Sequence, residues 1–119
     1  MTEIKKYDLE DRTYEFAKKV RFEMRNIKTS IYNMDDIKQV LRASGSVGAN
    51  YIEANEGLSP KDFRFRAKIC RKEAKESAYW LKLLFETDDL KNQNKVEKLH
   101  QEAIELKKIF SAMIRNSKD

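Results

Sequence analysis

"LRASGSVGAN", residues 41–50, decides how this chain folds. It holds two of the chain's three glycines, Gly45 and Gly48, beside Ser44 and Ser46. A loop here would interrupt the apolar stripe that surrounds it. Met34, Ile37, Leu41, Ser44, Gly48 and Tyr51 instead recur at alternating spacings of three and four straight through the segment. The phase does not change, so the spacing predicts one helix running through the glycines. Each helical glycine costs ~1 kcal/mol relative to alanine, which something must offset. Ser44 and Gly48 lie four apart, as do Gly45 and Ala49, so a shallow groove admits another backbone closely. That groove serves either a tight crossing inside one bundle or, in addition, assembly or ligand approach.

Three further stretches carry the same alternation. In the first, Asp8 is placed to cap, and Ala17, Val20, Met24, Ile27 and Ile31 form the stripe. It breaks near "NIKTS", where Thr29 or Ser30 can cap the glycine-bearing helix, and Gly57 is the expected C′ stop. The third start is the clearest: Ser59 as cap, Pro60 in the first helical position and Asp62 closing an S-x-x-D box. "ETDDLKNQN" reads as a turn, and the fourth stripe is Val96, Leu99, Ala103, Leu106, Phe110 and Met113. The expected helices, approximately 8–28, 30–56, 60–86 and 92–116, are each about 30–40 Å long. Their similar lengths and short connections predict a single all-α domain, an antiparallel up-down four-helix bundle.

Composition agrees with this class. The chain has 119 residues, 38% of them charged and 40% hydrophobic, with one proline, as suits charged-faced helices around one modest core. No apolar run approaches the ~20 residues that span a bilayer. "MTEIKKYDLE" lacks the apolar core of a secretory signal, and the single cysteine, Cys70, cannot form an internal disulfide. A reduced, cytoplasmic setting is expected.

The segments "SGSVGANYIEANEGLSPKDF" and "KEAKESAYWLKLL" resemble the bacterial four-helix-bundle family that includes the 23S rRNA intervening-sequence proteins. A more distant likeness is to the accessory variability protein of diversity-generating retroelements. The resemblance covers roughly residues 39–85 and is carried by Arg42, Ser44, Gly45, Ser46, Gly48, Ala49, Asn50, Glu53, Ala54, Ser59, Lys61, Asp62 and Phe63. It continues through Lys72, Glu73, Ala74, Glu76, Tyr79, Trp80 and Leu81. It implies a four-helix bundle with the glycines inside the second helix, and ring-like homo-oligomers, often pentamers, with no known catalytic activity. In the retroelement relatives the ring binds RNA and a reverse transcriptase, so those are the partners the resemblance implies.

Charge locates a candidate surface. Residues 1–58 carry ten basic and ten acidic side chains, and residues 83–119 carry seven of each. The third helix, 59–82, carries eight basic residues against Asp62, Glu73 and Glu76, so the whole formal excess of +5 sits there. Lys61, Arg64, Lys68, Arg71, Lys75 and Lys82 fall within a sector of roughly 80° at helical pitch. Phe63, Ala67, Cys70, Ala74, Ser77 and Leu81 lie across the helix from them and predict its buried side. A one-sign rail about 30 Å long suits a phosphate backbone. A solvated face and an acidic protein partner are the alternatives. Phe65, Ile69, Trp80 and Leu83 form a second apolar strip roughly 100–120° from the core stripe, which predicts a wider internal contact or a subunit interface.

Other chemistry is set aside. "EKLH", Glu97–His100, has the Glu-x-x-His spacing of di-iron bundles, but His100 is the only histidine and such sites need two motifs. Cys70 lies on the core stripe with no histidine to activate it. No glycine-rich phosphate loop follows a strand. Asn50 and Glu53 read either as a hydrogen-bonded pair or as functional contacts. The expectation is a non-enzymatic RNA-binding accessory protein without cofactor or metal. The rival is an oligomeric adaptor that recruits a protein and binds no nucleic acid.

Overall fold

The computed structural model describes residues 5–57 and 59–117, with side chains from residue 9 onward. They form four helices: α1 (Lys5–Arg25), α2 (Met34–Asn55), α3 (Pro60–Thr87) and α4 (Gln93–Asn116). No strand occurs among the described residues. Consecutive helices pack on one another and α1 also packs on α4, whereas the backbones of the diagonal pairs stand apart. The core lies along the shared axis, where Phe16, Val20, Val40, Val47, Tyr51, Leu81, Leu84, Val96, Leu106 and Phe110 are sealed from solvent. The Tyr51 and Phe110 rings meet tilted at 5.8 Å, and full burial of one such side chain stabilises by about 1.5–3 kcal/mol.

Helix α2 runs unbroken through residues 41–50, and the small residues divide into distinct roles. Ser44 is buried, and its Oγ and the Leu41 carbonyl both accept from the Arg21 guanidinium, at 3.3 and 3.0 Å. A Cβ added at Gly48 would stand 3.0 Å from Thr13 Oγ1 and 3.3 Å from Thr13 Cβ. Thr13 is itself buried on α1, so Gly48 is what lets α1 close onto α2. A Cβ at Gly45 would meet only the Arg21 Nη2 tip, at 3.1 Å. Ala49 faces solvent.

The ends of the helices depart from expectation for local reasons. Helix α1 begins at Lys5, so Asp8 lies within it, and the Asp8 side chain falls outside the described residues. Ile31 lies beyond α1 and is 84% exposed, so the α1 stripe stops at Ile27. Helix α2 starts at Met34, later than Thr29 or Ser30 would set it, because Asn33 organises the preceding turn. The buried Asn33 side chain accepts from Ser30 N at 2.8 Å and donates to the Lys28 carbonyl at 3.0 Å and Asp88 Oδ2 at 2.7 Å. Gly57 does follow the end of α2, but no described residue adopts a positive φ. Close approach is what requires glycine there, since a Cβ would lie 2.8 Å from Asp62 Oδ2 and 3.0 Å from the Ala54 carbonyl oxygen.

Candidate nucleic-acid interface

The charged surface is set by how α3 starts and which side it buries. Ser59 Oγ accepts from Asp62 N at 3.1 Å, and Pro60 supplies the first turn without a donor to satisfy. Ala67, Cys70, Ala74, Ser77, Ala78, Leu81 and Leu84 face inward and are buried. Small residues predominate on that side, so α2 and α4 pack closely against it and the long cations are turned outward.

Of the six rail residues, Lys61, Lys68, Lys75 and Lys82 are exposed, while Arg64 and Arg71 are half-buried. Arg64 is drawn toward the end of α4, where Nη1 donates to the Ser117 carbonyl at 3.3 Å. Lys72, left out of the rail by its sequence phase, is exposed as well. Among the described residues, Lys61, Lys68, Arg71, Lys72, Lys75 and Lys82 take part in no ion pair within 4.0 Å.

Two acids of α3, Glu73 and Glu76, are engaged from α2, while Glu86 near the end of the helix stays exposed. Glu73 is 6% exposed, and its Oε1 lies 3.4 Å from Arg42 Nη1 without hydrogen-bond geometry. Arg42 Nη2 donates to Glu76 Oε1 at 3.2 Å. One α2 arginine thus answers both central carboxylates of α3, and the positive excess stays uncompensated on the outer face.

The second apolar strip is uneven. Phe65 is 60% exposed, Ile69 and Leu83 are half-buried, and Trp80 packs against the core cluster while keeping an exposed edge. Beside it stands Tyr79, which shares the face of the lysines. Tyr79 is 59% exposed and meets the Trp80 ring edge-to-face at 5.0 Å. Its signal was available, since it lies four residues after Lys75 and three before Lys82 and so shares their face. A cleft of about 470 Å³ opens there, lined by Gln39, Lys72, Lys75, Glu76, Tyr79 and Trp80. Tyr14, Phe22, Met34 and Ile52 on α1 and α2 are also exposed, as is Tyr32 between those helices.

The groups set aside on sequence grounds have structural neighbours. Burial pushes the Cys70 thiol up to about 12, and nothing reaches it from solvent. His100 Nδ1 donates to the Ala78 carbonyl at 2.9 Å and the ring abuts Phe85, tying α4 to α3. Asn50 donates to the Ser46 carbonyl one turn back, at 2.8 Å, and Glu53 is exposed, so the two do not form the pair considered for them. Among the described residues no group of three or more His, Cys, Asp or Glu is placed to hold a metal ion. No described helix is long and apolar enough to cross a membrane.

The molecule is therefore an all-helical, four-helix protein with one helix exposing a row of basic side chains. It belongs to the 23S rRNA-intervening sequence protein family, whose model matches residues 5–112. The match reaches well past residues 39–85 and takes in α1 and most of α4. A solved structure from Bacteroides thetaiotaomicron, a protein of unknown function from the S23 ribosomal protein family, is 30% identical, with a TM-score of 0.79. The alignment covers 90% of this chain and 98% of that one. No curated protein matches the chain.

Proposed function

We propose that this chain is a non-enzymatic, cytoplasmic, homo-oligomeric accessory protein that binds nucleic acid, RNA above all, through the outer face of α3. The observation that carries the reading is that face itself, with Lys61, Lys68, Arg71, Lys72, Lys75 and Lys82 in no ion pair among the described residues and Glu73 and Glu76 answered by Arg42. The name of the family, with its tie to 23S rRNA, supports RNA over DNA.

The bundle is taken as antiparallel and up-down. Two sets of contacts support this. Thr13 meets Gly48 while the later Arg21 meets Leu41. Arg12 of α1 holds Glu102 of α4 at 2.7 and 2.9 Å, while the later Glu23 accepts from Asn92, just before α4, at 2.8 Å. Copies are taken to close into a ring, with a pentamer favoured, using exposed apolar surface that includes Phe65 and the outer edges of Ile69, Trp80 and Leu83. A ring would repeat the basic face about an axis and raise its avidity.

Titration of labelled single-stranded RNA at several salt concentrations tests the binding. Each phosphate neutralised contributes about −0.7 to the log–log slope, so the rail predicts a slope of roughly −3 to −4 per protomer. A parent protein that binds no RNA at low salt rejects the reading in favour of a protein-recruiting adaptor. Light scattering at micromolar protein tests assembly. A mass several times 14.1 kDa is expected, and a monodisperse monomer with a cooperative melt rejects the ring.

A further inference from the structure

The basic face of α3 is not uniform, because an aromatic ring stands among its lysines. Tyr79 lies seven residues after Lys72, four after Lys75 and three before Lys82, so all four share one helix face. Single exposed tyrosines are ordinary, but this one is held. Its ring meets Trp80 edge-to-face at 5.0 Å with the planes 80° apart, and Trp80 is anchored on the core. The ring is a pre-placed platform, so a partner that stacks on it pays little ordering entropy. The adjoining cleft adds Gln39, whose amide offers both a donor and acceptors, and its one acid, Glu76, is engaged by Arg42.

We infer that this cleft takes an unpaired base of single-stranded RNA, stacked on Tyr79, with the flanking phosphates on Lys72, Lys75 and Lys82. The inference rests on the RNA-binding reading and adds which form of RNA the face takes. A lysine rail alone serves duplex and single strand alike. A tyrosine projecting from a convex helix face has no use on a duplex. There the bases are already stacked on one another, and the A-form major groove is too deep and narrow to read. An unpaired base offers a free π-face, and stacking between such bases and aromatic rings is a recurrent device of single-strand binding.

Trp80 is the chain's only tryptophan and touches Tyr79, so it reports on the cleft without a label. The experiment titrates the intact protein with an oligouridine of about a dozen nucleotides and, separately, with a blunt RNA duplex. Tryptophan emission and affinity are followed together. The single strand should quench Trp80, and the duplex should bind without quenching. Tyr79→Ala should weaken oligouridine binding about tenfold, leave duplex binding and both salt slopes unchanged, and keep the parent's mass by light scattering. Tyr79→Phe, which keeps the ring, should bind as the parent does. If Tyr79→Ala binds oligouridine as tightly as the parent, or loses single strand and duplex equally, the cleft is not a base site. If it changes the mass instead, Tyr79 is a contact between copies and the inference is equally overturned. A protein that binds no RNA in either form overturns the broader reading too, whereas RNA binding indifferent to Tyr79 overturns only the base site.

Discussion

Gly48→Leu is the sharpest perturbation of the packing, because the obstacle it meets is fixed. A bare Cβ at this position would already lie 3.0 Å from Thr13 Oγ1, 3.3 Å from Thr13 Cβ and 3.6 Å from the Thr13 carbonyl carbon. Thr13 cannot swing aside, being 1% exposed and hydrogen-bonded through Oγ1 to the Glu10 carbonyl. Leucine adds three more carbons beyond that Cβ, so the upper part of the usual overpacking cost applies, about 3 kcal/mol. Removing a helical glycine returns ~1 kcal/mol. The net loss is about 2 kcal/mol, or roughly 8 °C in Tm for a chain of this size. Gly45→Ala is the matched control, because its Cβ meets only the exposed Arg21 guanidinium, at 3.1 Å, which can shift at the expense of its hydrogen bond to the Leu41 carbonyl. It should be neutral or more stable by up to ~1 kcal/mol. Urea and thermal unfolding of both variants decide the matter. A Gly48→Leu protein as stable as the parent, or two variants that respond alike, would refute the claim that Gly48 seats α1 on α2.

Two other expectations concern buried groups. Arg42→Ala strands the Glu73 carboxylate, 6% exposed, without its cation and should destabilise by about 2–3 kcal/mol; Glu73→Gln in the same chain should recover most of that, as unfolding in urea will show. The Cys70 thiol, raised by burial from 9.0 to about 12, stays protonated in the folded chain. Its contribution to stability is thus complete below about pH 9, where the unfolded thiol begins to ionise, and is lost as pH rises toward 12. A thiol reagent at pH 8 should label Cys70 only at the rate of unfolding, and rapid labelling of the native protein would contradict its burial.

The helical stripes were legible because they follow from spacing alone, and a four-residue pair of small side chains says that something comes close. Spacing does not say what comes close. Only the structure shows that Gly48 yields to the buried Thr13 while Gly45 lies under the exposed guanidinium of Arg21. The start of α2 was illegible for a related reason. Thr29 and Ser30 are good caps locally, but Asn33 gains three partners, one of them Asp88 more than fifty residues away, and no local rule weighs such a contact. On α3 the cations were legible as a phase, and their freedom was not. That depends on Arg42 of α2 engaging Glu73 and Glu76. Tyr79 is masked in the sequence by its neighbour Trp80, which belongs to the apolar strip and packs against the core while Tyr79 points out.

In the reading proposed above, a particular face of α3, and not the net charge of the protein, binds RNA. The direct test compares Lys68, Arg71 and Lys75, all changed to glutamate, with Lys19, Lys38 and Lys98 changed in the same way. Both triples alter the formal charge equally, and the second set is exposed and off α3. Labelled RNA is titrated with the parent and both variants at several salt concentrations, with light scattering and melting to verify fold and assembly. If the face of α3 binds RNA, the α3 triple loses affinity and shallows the log–log slope by about 2 per protomer, while the control keeps the parent's slope. Equal losses in the two triples would mean that binding follows net charge, and that the face of α3 is not a site.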